Sequence, residues 1–319
     1  MQSKKTTGQE PFMFTYREEL RNMPQEALPF EERLHGTFAI DKECNSSHIY
    51  YGLEGCGLLR VTPDLTRQDV IKLPAEFDAV NFHSTKIGVF SGNRRLFLTA
   101  NNNEMVAVAT LDGEIEFTIP RPEFDEYHNA QTSYKPTDSV VDENKLFVAD
   151  GYGANYITGL NLSTQKWNGI FGGKTDNPQA HGQFGTAHGM SATPSGNHLA
   201  IADRAHSRFE IYTFDGDFTE SHALPWGSRP CGIQFFDRNG HWYAVVASLD
   251  DPEESRPAPI YILDATTYEV LSTVRPKEDL GIERADHLHN VVWHTHNNQE
   301  FLVCQAWKPG YFFVLETTA

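Results

Sequence analysis

The sequence has no long apolar run and no excess of positive charge. Its longest apolar stretches, such as residues 245–249 and 311–315, are far shorter than the roughly 20 residues that cross a bilayer, so no membrane partner is expected. Lysine and arginine number 26 against 43 aspartates and glutamates, and the formal net charge of −17 repels phosphate backbones. A nucleic-acid partner is therefore not expected. The first thirty residues lack the apolar segment of a secretory signal, which favours a cytoplasmic location.

Cysteine is scarce, with four in 319 residues and none in a C-x-x-C spacing. Cysteines this sparse do not form a disulfide framework, so reduced thiols are expected. Cys44 and Cys56 are the one pair worth testing for a bridge. With 39% hydrophobic and 12% aromatic residues, the chain has enough apolar mass for a sizeable core.

The sequence is rich in short β-prone runs that alternate with turn signals. Residues 105–109, 145–149 and 209–212 each lead into an Asp-Gly turn, and helical periodicity is nearly confined to residues 15–33. Aligned by their first strand, the repeating segments lie roughly fifty residues apart, and they begin at His35, His83, Asp138, His188, Gly232 and His289.

This repeat predicts an all-β fold, a six-bladed β-propeller. Six units of several short strands match the usual 4–8 blades, and radial closure protects the sheet edges. A two-sheet sandwich is the alternative, but it seldom exceeds about 250 residues as one domain and does not repeat at this interval. We expect a single propeller domain over residues 34–319, preceded by a short N-terminal arm over residues 1–33.

Three histidines occupy the same position in alternate units. His83, His188 and His289 fall in the first strands of blades two, four and six, and first strands line the channel of a propeller. Alternate blades are about 120° apart, so the three imidazoles can meet at one axial point. Three neutral histidines leave a position open for water or substrate, which is typical of catalytic zinc. The pattern predicts a site for zinc or another divalent transition metal.

The alternative is that these are ordinary hydrogen-bonded histidines, as most of the 14 in the chain are expected to be. His35 is intermediate between a predicted ligand and an ordinary histidine, because it too stands at the start of a unit, before Gly36. The role of His287 is open.

Five segments of the chain resemble one known family, and they are KPTDSVV at 135–141, LFVADGY at 146–152, FGG at 171–173, GQFGTAHGM at 182–190 and LAIADRAHSRF at 199–209. Together they look like peptidyl-α-hydroxyglycine α-amidating lyase. The likeness is good over residues 135–216, moderate over 78–114 and 283–315, and poor in blades one and five. The resemblance implies a six-bladed propeller of NHL-repeat type with a three-histidine zinc site and a structural calcium.

The resemblance also implies residue roles. The zinc ligands fall on His83, His188 and His289. The catalytic tyrosine falls on Tyr152 and one active-site arginine on Arg204. The other arginine belongs to the poorly matching first blade, where Arg33 is the nearest candidate.

Two departures from the family lie beside the third histidine. The family has an aspartate after it that helps to hold calcium, whereas this chain has Asn290. The family has Met-Pro-His where this chain has His287-Leu-His. The calcium site is therefore placed in doubt, and the substrate is left open.

The leading hypothesis from the sequence is a metal-dependent lyase that acts on a small α-hydroxylated or carboxylate-bearing substrate. A metal-dependent hydrolase or isomerase, such as a lactonase-like esterase, is the second hypothesis, and a non-catalytic NHL-type interaction module is the third. Tyr152 could instead pack the channel, and Arg204 could form a structural ion pair. Asp150 and Asp203 are interpreted as turn-fixing residues that bond local backbone N–H groups. The oligomeric state is not predicted.

Overall fold

The computed structural model describes residues 5–42, 47–129 and 131–318. Cys44 lies outside these residues, so its pairing with Cys56 is not tested. Cys56, Cys231 and Cys304 are buried free thiols.

The described residues form six antiparallel sheets, each of four or five strands, which confirms the all-β, six-bladed propeller. Blade one contains β3 (Ala39–Ile40), β4 (Ile49–Leu53), β5 (Gly57–Val61) and β6 (Gln68–Ile71). Blade two contains β7 (Phe82–Phe90), β8 (Asn93–Ala100), β9 (Met105–Ala109) and β10 (Ile115–Pro120). Blade three contains β11 (Asp138–Asp142), β12 (Lys145–Ala149), β13 (Tyr156–Asn161) and β14 (Lys166–Gly172).

Blade four contains β15 (Ala187–Ala192), β16 (His198–Asp203), β17 (Arg208–Thr213) and β18 (Phe218–Ala223). Blade five contains β19 (Gln234–Arg238), β20 (His241–Ala247), β21 (Ile260–Asp264) and β22 (Val270–Val274). Blade six contains β23 (His287–His296), β24 (Gln299–Trp307) and β25 (Tyr311–Thr317), followed outward by β2 (Phe12–Tyr16) and β1 (Thr7–Gln9).

Helices are few and short among the described residues. The α-helices are α1 (Asp125–His128) and α2 (Pro276–Leu280), and the 3-10 helices are Glu18–Leu20, Leu28–Arg33, Ala75–Phe77 and Arg204–His206. None of the described helices has the length and apolar content needed to span a membrane.

The N-terminal segment closes the ring. Strand β2 pairs antiparallel with β25 in a register that joins Phe14 to Thr317 and Tyr16 to Leu315. Strand β1 then pairs with β2 at the outer edge. The segment expected from the sequence as an arm over residues 1–33 thus supplies the two outer strands of the sixth blade, where backbone hydrogen bonds tie the two ends of the chain together.

Aromatic packing secures this closure. Phe12 and Phe14 are fully buried and both meet the indole of Trp293 edge to face, with ring centroids 6.0 and 6.3 Å away. The same indole stacks on Phe236 of blade five at 4.2 Å. Buried aromatic side chains remove a large apolar area from water, so this cluster stabilises the contact of blades five and six.

Candidate metal and catalytic centre

A break in strand register marks each of the three predicted histidines. The pairing of β7 with β8 shifts at His83, that of β15 with β16 shifts between Ala187 and Met190, and that of β23 with β24 shifts at His289. The first strand pairs of blades three and five run in continuous register. A β-bulge redirects a side chain, so each even-numbered blade turns one imidazole toward the axis.

The three imidazoles meet as predicted. Their ring centroids form a nearly equilateral triangle with sides of 5.0, 4.8 and 5.0 Å between His83, His188 and His289. Each residue is 1% exposed. Burial lowers the pKa of His83 to about 4, and it holds the pKa values of His188 and His289 well below the usual range. The rings are therefore neutral near pH 7, which is the form that binds a metal.

Each imidazole is oriented by the blade that follows. The Nδ1–H of His83 donates to the carbonyl of Thr137 at 2.6 Å, and that of His188 donates to the carbonyl of Cys231 at 2.5 Å. The third histidine, His289, reaches the carbonyl of Gly36 at 3.2 Å. A proton held on Nδ1 leaves the Nε2 lone pair free, and this is the usual arrangement of histidine ligands in metal sites.

Odd-numbered blades place one side chain at each edge of the triangle. Tyr152 lies against His83 and His188, with its ring centroid 5.0 and 5.3 Å from theirs. At the next edge, the Cys231 sulfur and the ligand nitrogens of His188 and His289 all lie within 4.8 Å of one another.

His35 occupies the third edge, with its ring 4.7 Å from His83 and 4.5 Å from His289. We call this group of six side chains the hub, and it consists of His83, His188, His289, Tyr152, Cys231 and His35.

The hub fits a cation. In the part of the chain that the structure describes, the Nε2 atoms of His289 and His35 are buried without a hydrogen-bond partner. Two overlapping sets of ligand atoms lie within 4.8 Å, namely His35, His83 and His289, and His188, Cys231 and His289. Buried ring nitrogens that converge without a hydrogen-bond partner are costly unless a metal or another polar group satisfies them.

Tyr152 links the triangle to Arg204. The Tyr152 hydroxyl lies 2.9 Å from Nε2 of His188 and 3.3 Å from Nε2 of His83, and it accepts a hydrogen bond from Nη1 of Arg204 at 3.2 Å. Burial raises the pKa of the Tyr152 phenol, and the nearby guanidinium opposes that shift. The phenol thus bridges the predicted ligands and a cationic side chain.

Arg204 is a buried cation without a carboxylate partner among the described residues. Its side chain is 9% exposed, it lies over the Tyr152 ring with Cζ 5.2 Å from the centroid, and its Nε has no hydrogen-bond partner. The structural ion pair considered as an alternative is not formed within this part of the chain. An unpaired buried guanidinium is suited to bind a carboxylate through two parallel hydrogen bonds.

Asp150 and Asp203 fix turns, as interpreted from the sequence. Asp150 accepts hydrogen bonds from the N–H groups of Lys135 and Ala154 and from the hydroxyl of Tyr127. These bonds hold the turn that carries Tyr152, where a Cβ on Gly151 would lie 2.0 Å from the carbonyl oxygen of Ala187.

Asp203 plays the same part in the turn that carries Arg204. It accepts hydrogen bonds from the N–H groups of Gly185 and Thr186 and from the side chains of His206 and Arg208.

Three other residues singled out from the sequence lie apart from the triangle. Arg33 is exposed, with Nη1 4.0 Å from Glu54 and its guanidinium over the ring of Phe30, so the structure does not bring it to the hub. His287 is half-exposed and bonds the carbonyl of Leu249.

Asn290 uses its amide oxygen to accept the N–H of Phe38. The Asp138 carboxylate forms an ion pair with the Lys86 ammonium at 3.1 Å.

Sequence reasoning did not identify Cys231 as part of the site and left His35 without a role. The carbonyls of Gly36, Thr137 and Cys231 accept from the three imidazoles. Thr137 and Cys231 stand one residue before the start of their units and Gly36 stands one residue after, so the repeat alone does not align them.

The chain matches no known family model and no curated protein. Among solved structures it is similar to a gluconolactonase from Xanthomonas campestris, with a TM-score of 0.58 and 11% identity, over 98% of this chain and 96% of that one. It is also similar to a luciferin-regenerating enzyme, with a TM-score of 0.58 and 14% identity, over 91% and 92% of the two chains. A third similar structure is a nidogen/laminin complex, with a TM-score of 0.54 and 14% identity, over 87% and 95%.

At such low identity the likeness establishes the fold alone. The resemblance to the amidating lyases gains no support from these comparisons beyond the propeller itself. The chain is a six-bladed β-propeller whose structural neighbours include enzymes.

Proposed function

We propose that the protein is a metal-dependent enzyme, with zinc as its cation, and that the hub is its active centre. The observation that carries the proposal is the contact of the Tyr152 hydroxyl with both His188 Nε2 and Arg204 Nη1. A proton-transfer group and an unpaired cation thus adjoin three buried, neutral imidazoles. Structural packing alone would not require an unpaired guanidinium in this position.

A divalent cation on histidine ligands is a Lewis acid that lowers the pKa of a hydroxyl beside it by several units. The chain's own residues supply the rest. Arg204 binds a substrate carboxylate and favours the phenolate form of Tyr152. The Tyr152 oxygen then accepts or returns a proton within hydrogen-bond distance of the reacting group.

The first candidate reaction is cleavage of an N-acyl-α-hydroxyglycine. The hydroxyl loses its proton and becomes a carbonyl, the C–N bond breaks with its electron pair on nitrogen, and nitrogen gains a proton. The products are glyoxylate and a primary amide, so atoms and charge balance without a further reactant. In this proposal Tyr152 moves the proton and Arg204 binds the glycine carboxylate.

The second candidate is hydrolysis of a sugar lactone. It draws support from the gluconolactonase neighbour, although that likeness concerns the fold alone. The same side chains would serve, with water as the nucleophile and Tyr152 as the group that takes its proton.

Metal content and substrate turnover test the proposal together. We expect close to one zinc per chain after mild purification, and less than about 0.3 metal per chain with no recovery on adding zinc would contradict both reactions. Benzoyl-α-hydroxyglycine should then yield glyoxylate if the first reaction holds, whereas glucono-δ-lactone should release acid if the second does. A protein that takes up no metal would favour the interaction module, whereas a metal-loaded protein that turns over neither substrate would contradict both candidate reactions.

A further inference from the structure

The third edge of the histidine triangle carries an imidazole that the proposed chemistry does not use. His35 immediately precedes Gly36, whose carbonyl accepts the Nδ1–H of His289. Its ring stacks on the indole of Trp307 with centroids 4.9 Å apart and an interplanar angle of 23°. The backbone and the indole together hold the His35 ring beside the predicted ligands.

The buried ring nitrogens that lack a hydrogen-bond partner gather on the His35 side of the hub. Nδ1 of His35 accepts a hydrogen bond from the Asn81 amide nitrogen at 3.4 Å, so Nε2 carries the ring proton until a cation replaces it. Within the described residues, the Nε2 atoms of His35 and His289 are both buried without partners, and their rings are only 4.5 Å apart. At the opposite edge, Nε2 of His188 already has the Tyr152 hydroxyl at 2.9 Å. Nε2 of His83 meets the same hydroxyl at a longer 3.3 Å.

A cation beside His35 would give the Nε2 atoms of His35 and His289 a binding partner. The ligand atoms of His35, His83 and His289 all lie within 4.8 Å of one another. Two nitrogens that each bind a metal at about 2.0–2.1 Å can be no more than about 4.2 Å apart, so small side-chain adjustments complete the site.

We propose that His35 is a ligand of the hub metal, which is held by His35 with His83 and His289 and leaves His188 bonded to Tyr152. This inference rests on the proposed function in one respect, that the hub takes up a divalent metal. The metal then lies on the His35 side of the triangle, and Tyr152 and Arg204 face it from the His188 side.

Metal titration of the whole protein tests the inference without an activity assay. Metal is removed with a chelator, and the apoprotein is titrated with zinc against a chromophoric competitor and with cobalt(II) by visible absorption. Loss of an outer residue that only orients a ligand typically costs 10- to 100-fold in metal affinity. We expect His35→Ala to weaken zinc binding by more than about 100-fold, beyond that outer-residue range, and to shift the cobalt d–d bands.

Controls separate this effect from simple loss of a buried imidazole. His294→Ala removes a buried histidine whose Nε2 bonds the carbonyl of Pro63, outside the hub, and it should leave affinity and spectrum unchanged. His35→Gln keeps a polar side chain of similar length if the alanine variant does not fold. It should show the same spectral shift.

The outcomes are distinct. Zinc affinity within 100-fold of wild type together with unchanged d–d bands in both His35 variants would overturn the inference while leaving the hub metal in place. A thiolate-to-cobalt charge-transfer band that persists in those variants and disappears in Cys231→Ser, at unchanged affinity, would assign the ligand to Cys231 and overturn it as well. A wild-type protein that binds no metal would overturn both this inference and the proposed function.

Discussion

Replacing Tyr152 with phenylalanine removes one oxygen from the centre of the hub and keeps the ring. The ring retains its contact with the Arg204 guanidinium, whose Cζ lies 5.2 Å from the centroid, and its packing against His83 and His188. The hydroxyl's hydrogen bonds to Arg204 at 3.2 Å and to His188 at 2.9 Å are lost. The substitution therefore tests proton transfer by the hydroxyl while the packing of the ring is kept.

The expected loss of rate follows from the role of the hydroxyl. A positioned acid or base typically contributes 10²–10⁴-fold, so kcat should fall by about that factor for whichever substrate class is turned over. The value of KM should change little, because Arg204 keeps its place over the ring. Zinc content should stay at the wild-type level, since the imidazole ligands are untouched.

The substitution should also lower the free energy of unfolding, and a control variant separates this effect from the fall in kcat. A hydrogen bond to a charged group contributes about 1.5–3 kcal/mol, so the free energy of unfolding in urea should drop by ~2 kcal/mol. Tyr51→Phe is the matched control, since Tyr51 is fully buried in blade one and donates to Gln68 at 2.6 Å. It should cost similar stability and leave kcat unchanged.

Steady-state kinetics on metal-replete protein decide the matter. A Tyr152→Phe enzyme with full zinc and a kcat within tenfold of wild type would refute the proton-transfer role. A large fall in kcat that is matched by Tyr51→Phe would refute it too, because the effect would then be one of stability.

Arg204→Gln should raise KM for a carboxylate-bearing substrate by about tenfold to a hundredfold and raise it less for the corresponding methyl ester; equal effects on both would contradict carboxylate binding. Burial raises the pKa of Asp150 to about 6, although its hydrogen bonds oppose the shift, so this carboxyl gives stability that is complete below about pH 4 and is lost as the pH rises through 6. That contribution of about 3 kcal/mol should vanish in Asp150→Asn, and equal pH slopes in urea unfolding of the two proteins would argue against it. Phe14→Ala should cost about 3–5 kcal/mol of unfolding free energy while Phe14→Leu costs much less, and a loss under 1 kcal/mol would mean that β2 does not secure the ring.

The fold was predictable because its signal is local and repeated. Each unit contains its own β-prone runs, three of the six contain an Asp-Gly turn, and the roughly fifty-residue spacing fixes the number of units. Alternation of His83, His188 and His289 among the units was enough to predict that their rings meet. Blade closure was not predictable from this pattern, since the pairing of β2 with β25 joins residues some 300 positions apart.

The edges of the triangle were harder to predict for a physical reason. Which way a side chain points depends on the register of its strand, and the bulges at the three histidines depend on partner strands rather than on local sequence. Arg33 was selected for its place in the chain, yet the 3-10 helix Leu28–Arg33 carries it to the surface beside Glu54. Cys231 was interpreted only as a reduced thiol, and its place in the hub comes from blade geometry.

Closure by β2 couples the hub to the sixth blade. His289 lies in the same sheet as both chain ends, and its carbonyl acceptor at Gly36 comes from the blade that adjoins them. During synthesis on the ribosome, His83 and His188 are made before β25, the strand that pairs with β2. A variant shortened before β25 would lose the strand that pairs with β2, so we expect it to lose metal affinity together with propeller closure.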